Sequence, residues 1–112
     1  MRQFAAILCA TLGFALLGAA ATPAPDAAAK PAIVVHMKNF AFSPAKVSIK
    51  SGQTVEWIND DSVQHSATAD DHSWNSGELA QGASWSKTFT AAGTYTYYCD
   101  DHEFMKAEID VK

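Results

Sequence analysis

Over residues 33–111 apolar and polar side chains alternate with a period of two, and turn-forming residues interrupt the alternation every few positions. Such a chain offers one face of each extended segment to a core and the other to water, and no stretch repeats at the spacing of a long amphipathic helix. Ile33, Val35 and Met37 alternate with Val34, His36 and Lys38 before the stretch NFAFSP breaks the run. Val47 and Ile49 open a second run that stops at Ser51-Gly52, and residues 54–59 form a third. A short fourth strand is expected from about His65, then strands over 84–90, 94–99 and 107–111, with Ala91-Ala92-Gly93 as a turn. Short strands at close spacing, rich in Val, Ile, Thr, Tyr and Trp, predict an all-β sandwich, with an antiparallel barrel as the competing architecture.

The N-terminus has a different grammar. MRQFAAILCATLGFALLGAAA sets Arg2 before an apolar run that ends in small residues, the layout of a cleavable export signal. Residues 4–17 fall short of the roughly 20 apolar residues a bilayer span needs, so residues 1–21 are expected to be removed after Ala21. TPAPDAAAKP, residues 22–31, has the composition of a flexible linker. One domain remains, residues 32–112, with no expectation of stable membrane insertion and a periplasmic location. Removing residues 1–21 takes away Cys9 and leaves Cys99 as the one thiol, in a compartment that permits disulfides. A lone thiol there is exposed to oxidation unless something occupies it, and metal ligation would do so. Without Arg2 there are seven basic side chains against twelve acidic ones. That balance disfavours nucleic acid and suits a partner with a basic surface. The chain is expected to be monomeric.

The chemistry concentrates in YYCDDHEFM, residues 97–105. Alternation puts Tyr95, Tyr97 and Cys99 on one face of their strand, with Cys99 where that face runs out into a loop. Three residues further on, across a loop of two, His102 can turn toward the same point, and Met105 can cap it. A second nitrogen donor could come from His36, His65 or His72. His36 lies within a strand and His72 sits in the polar stretch ADDHSW, whereas His65 follows an irregular loop at the end of the sandwich and is the expected partner. One thiolate, two imidazoles and a thioether suit an electron-transfer copper site. Zinc is the competitor, for which Asp100 or Asp101 would be the expected fourth donor, and Met105 tilts the choice to copper. Taken singly, Met105 could be core filler and Cys99 a small buried hydrophobe. Together those bland readings leave the Cys-x-x-His-x-x-Met spacing and the lone cysteine unexplained.

At these residues the sequence resembles the cupredoxins, the small blue copper proteins, and within them the plastocyanin, pseudoazurin and amicyanin branch. The resemblance runs through NFAFSPAKVSIKSGQTVEWIN, His65, ATADDHSWNSGELAQGASWSKTFTAAGTYTYYC and CDDHEFMKAEIDV. It implies a Greek-key β-sandwich, one type 1 copper held by His65, Cys99, His102 and axial Met105, and one-electron shuttling between redox partners. It implies a carrier rather than an enzyme, because a closed ligand set leaves no position for a substrate. Asn59 stands where the resemblance implies a tie between the two ligand loops. The sequence departs from the family at Gln64 and Ser66 around the first histidine, at Asp100, Asp101 and Glu103 around the second, and at Ala107. These departures predict altered hydrogen bonding around the metal, a weaker apolar docking patch and a lowered potential. The alternative function is copper storage or delivery, with His36, Met37 or His72 giving a second, weaker site.

Overall fold

A computed structural model of the protein describes residues 30–112. The expected export signal and all but the end of the linker lie outside the described residues, among which no helix is long and apolar enough to cross a membrane.

Eight strands follow in order: β1 (Ile33–Lys38), β2 (Ala41–Ser43), β3 (Lys46–Ile49), β4 (Gln53–Asn59), β5 (Thr68–Ala69), β6 (Ser84–Phe89), β7 (Gly93–Cys99) and β8 (His102–Val111). They form two four-stranded sheets, in the orders β2-β1-β4-β6 and β3-β8-β7-β5. The β1/β4 and β3/β8 pairs are parallel and the rest antiparallel. The architecture is the all-β sandwich that the alternation predicts.

The alternation shows directly in the core. Val35 and Met37 of β1, Val55 and Trp57 of β4, Tyr97 and Cys99 of β7, and Met105, Ile109 and Val111 of β8 are all buried, together with Phe42 and Phe89. Trp57 is the hub, with its ring centroid 5.7 Å from Trp74, 5.5 Å from Trp85 and 5.5 Å from Tyr97. Burying such large rings contributes most of what a domain this small gains from its core.

Two expectations need correction. NFAFSP does not simply break a strand: Lys38 pairs with Ala41, so Asn39 and Phe40 form a two-residue hairpin turn into β2. His65 does not open a strand either. It makes an isolated bridge to Leu79, and the short strand lies three residues on, at Thr68.

The β7/β8 hairpin accounts for the spacing of the chemical residues. Tyr97 pairs with Ala107 and Tyr98 with Lys106, a register that would place Cys99 opposite Met105. Cys99 pairs with His102 instead. Residues 103–105 are therefore taken up in a bulge, which bends the strand and re-aims its side chains. Met105 nonetheless stays buried on the side that holds Ile109 and Val111.

The Tyr97 hydroxyl is buried close to the equally buried Trp57 indole N–H, but the two do not reach hydrogen-bond geometry. Tyr97→Phe is expected to leave the urea midpoint of the metal-free protein unchanged, or to stabilise it by up to about 1 kcal/mol. A loss larger than that would mean the hydroxyl is bonded in solution.

Candidate metal centre

Two loops at one end of the sandwich supply the site. The first leaves β4 at Asn59 and reaches His65; the second is the Asp100-Asp101 turn between Cys99 and His102. Asn59 anchors the first loop: its Nδ2 donates to the carbonyls of Val63 and Leu79, and its Oδ1 accepts from Asp61 N–H. The tie between the two loops comes from Ser66, not from Asn59. Ser66 N–H donates to Cys99 Sγ at 3.3 Å, and Ser66 Oγ accepts from Asp100 N–H at 2.9 Å. A residue that departs from the family pattern thus makes the bridge.

The donor atoms of His65, Cys99 and His102 lie within 4.8 Å of one another. Cys99 Sγ is 3.7 Å from His65 Nδ1 and 3.8 Å from His102 Nδ1. For bonds of about 2.3 Å to sulfur and about 2.1 Å to nitrogen, donors 120° apart stand about 3.8 Å from each other, and donors at the tetrahedral angle about 3.6 Å. The two sulfur–nitrogen separations fall within the range that one metal ion bonded to all three residues requires, and the choice between copper and zinc rests on donor type. The residues present fit a metal ion on spacing, and the soft sulfur with two imidazoles fits copper on donor type.

Burial is unequal. His65 and Cys99 are sealed from solvent, and His102 is partly exposed. Met105 is buried in the same cluster as Cys99. Of the other candidates, neither His36 nor His72 falls in the group of donors. Met37 is in the core, exposed His36 is bonded through Nδ1 to Asp60 at 2.7 Å, and His72 is exposed with its ring against Tyr98.

Sequence reasoning missed Asp61. Its carboxylate accepts from His65 Nε2–H at 2.8 Å and from the backbone N–H groups of Asn39 and Phe40 at 2.8 and 3.0 Å. A carboxylate only accepts, so the proton sits on Nε2 and the Nδ1 lone pair faces the sulfur, the tautomer a metal requires. The Phe40 N–H, the His65 ring and the Asn39 N–H hold Asp61 at a pKa of about 2, against the opposing effect of burial. An aspartate four residues before a candidate ligand was the available signal.

The turn is strongly acidic. Burial works against ionisation of Asp100, but the bonds it accepts from Asn75 Nδ2–H and Thr68 Oγ1–H outweigh that and lower its pKa. Glu78 is pushed up to about 7, first by sharing a hydrogen bond with Asp101, then by burial and by the charges of Asp101 and Asp100.

Comparison with known proteins agrees with this centre. Residues 6–111 match the family model of the cupredoxin-like domain. The chain belongs to the cupredoxin-like family. It is 32% identical to amicyanin from Paracoccus denitrificans over 123 residues, covering 93% of this chain and 90% of that protein. It is 36% identical to plastocyanin from Scenedesmus fuscus over 84 residues, covering 63% and 86%. Among solved structures, a reduced tryptophan-to-tyrosine variant of amicyanin superposes with a TM-score of 0.70 at 29% identity, covering 75% of this chain and 85% of that one. A copper-containing nitrite reductase from Thermus scotoductus reaches 0.69 at 30% identity over 74% of this chain, but over only 22% of the reductase. The cupredoxin fold therefore serves in an enzyme as well as in small amicyanins and plastocyanins.

Glu78 holds its proton more tightly in the folded chain than the ordinary 4.5, so folding stability falls as pH rises from there toward about 7. Glu78→Gln is expected to flatten that limb. Urea titrations of the metal-free wild type and variant at pH 4.5 and 7.5 check this, and parallel pH profiles would contradict it.

Proposed function

We propose that this cupredoxin is an exported carrier that passes single electrons between partner proteins through one type 1 copper, which His65, Cys99 and His102 would hold with Met105 as the fourth ligand. The observation that carries the reading is the spacing of the donors: two sulfur–nitrogen edges of 3.7 and 3.8 Å on a sulfur that is itself buried. When bound, copper supplies the one-electron chemistry.

The chain's own residues do the rest. Cys99 and His65 exclude water, and Asp61 fixes the tautomer of His65. Met105 is a buried thioether in the same hydrophobic core as Cys99, and a weak sulfur donor of that kind is what distinguishes an electron-transfer copper site from a zinc site. A full ligand set leaves no position for a substrate, which supports a carrier rather than an enzyme. The partly exposed His102 is the edge nearest solvent and the natural point of electron entry and exit.

The surface around His102 sets the partner. Phe104 is 69% exposed and Phe40 44%, and their rings lie 6.0 and 5.0 Å from the His102 ring. Contrary to the sequence expectation of a weakened apolar patch, two aromatic rings stand at this end. Asp100, Asp101 and Glu103 surround them with negative charge, which steers a basic redox partner and favours the oxidised metal. The export signal, residues 1–21, and the linker, residues 22–31, precede the cupredoxin domain in this reading and place it in the periplasm.

Loading the mature chain with copper(II) is expected to give an intense orange-red absorption from thiolate-to-metal charge transfer, and Cys99→Ser is expected to abolish it. A colourless wild type would refute the assignment. A full charge about 8 Å from the centre is worth about 0.5 to 2 kcal/mol for effective dielectrics between about 80 and 20. Glu103→Gln is accordingly expected to raise the midpoint potential by about 20 to 90 mV and to weaken the salt dependence of association with a basic partner. Voltammetry showing no rise would reduce Glu103 to solvated surface.

A further inference from the structure

The turn between β1 and β2 breaks a local rule. Asn39 and Phe40 are its two central residues, and both lie in the left-handed region, at φ 53° and 59°. Two-residue hairpin turns of this kind favour Asn followed by Gly, because the second position strains any residue with a Cβ. A phenylalanine occupies that second position here.

Burial does not explain it, since the ring remains 44% exposed. Its contacts do. The Phe40 ring meets His65 edge-on at 5.6 Å and His102 edge-on at 5.0 Å, and Phe104 flanks it at 6.3 Å. The two imidazoles are themselves 5.0 Å apart, so one aromatic ring touches both nitrogen donors. The strained backbone is held by the carboxylate of Asp61, which accepts the N–H of Asn39 and of Phe40 and also the Nε2–H of His65. Turn and ligand thus hang from one side chain, and the ring position follows the ligand position.

We propose that Phe40 is a positioning residue: its ring braces His65 and His102 at their spacing from Cys99, and above all keeps the half-exposed His102 from swinging toward solvent. The disfavoured φ persists because that brace needs a large ring at the second turn position. Strained backbone kept at a site by surrounding bonds is the expected pattern for such a role. The proposal rests on the metal-site reading, and its test separates the two.

Phe40→Gly, Phe40→Leu and Phe40→Tyr are compared with the wild type in two measurements. In the metal-free protein, carbon relaxation of the His102 ring is expected to show greater motion in the glycine variant and wild-type order in the tyrosine variant, while the thermal midpoint of the glycine variant is no lower than wild type because the turn is relieved. In copper(I)-loaded protein, transfer of the metal to a bidentate copper(I) chelator is expected to be about tenfold faster in the glycine variant, with tyrosine restoring the wild-type rate and leucine falling between. Unchanged His102 ring motion overturns the brace. So does a glycine variant that melts lower yet releases copper at the wild-type rate, since Phe40 would then be only a structural turn residue. Failure of the wild type to take up copper would refute the metal reading, and the relaxation measurement would still decide the brace.

Discussion

The organisation of this end of the molecule depends on a sulfur atom that has been taken out of water. Cys99 Sγ sits at the last position of β7, fully buried, where the sheet gives way to a tight turn. A buried sulfur in that position needs partners, and it accepts an N–H from Ser66 with an imidazole Nδ1 on either side able to take its own proton or, with it, to hold a metal. Each partner comes with a chain segment attached. Satisfying the sulfur therefore draws the loop after β4 against the β7/β8 turn, and Ser66 Oγ fastens the contact by accepting from Asp100 N–H. The metal centre is a by-product of how two loops close over one buried group.

Around that sulfur the charges are sorted by depth. Asp61 faces inward and works through hydrogen bonds, ordering both the His65 tautomer and the β1/β2 turn. Asp100, Asp101 and Glu103 face outward, and of these Asp100 has a structural duty too, accepting from Thr68 and Asn75. Glu78 shares a hydrogen bond with Asp101 and so moderates the negative charge of the turn near neutral pH. Aromatic rings fill the gap between the two regimes: Phe40 and Phe104 lie against His102, between the sealed sulfur and the charged rim.

Much of this was legible in the sequence, for a specific reason. A half-buried strand writes its period directly into the chain, so Val35, Met37, Val55, Trp57, Tyr97 and Ile109 announced the sandwich and its core. The Cys-x-x-His spacing and the irregular loop before His65 pointed to the three donors the fold brings together, His65, Cys99 and His102. Other features had no periodic signal. A three-residue strand such as β2 is too short to alternate visibly, and a hairpin with Phe where Gly is favoured does not look like a turn. The slip of register that pairs Cys99 with His102 is a property of two strands together, invisible in either alone. Asn59 and Ser66 exchanged the role expected of one of them because backbone proximity, not residue type, decides which side chain reaches across a loop. Asp61 escaped notice since one of a pair of aspartates after a strand is ordinarily just a solvated turn residue.

The central claim is that the fold itself sets the donor atoms at metal-binding spacing, before any metal arrives. Crystal structures of the mature chain with and without copper(II) test it most directly. The account predicts that Cys99 Sγ stays within about 0.3 Å of its present 3.7 and 3.8 Å from the two Nδ1 atoms in both, with Asp61 still bonded to His65 Nε2. An imidazole of His65 turned away from the sulfur in the metal-free crystal, or a carboxylate oxygen completing a tetrahedral set in the loaded one, would contradict it.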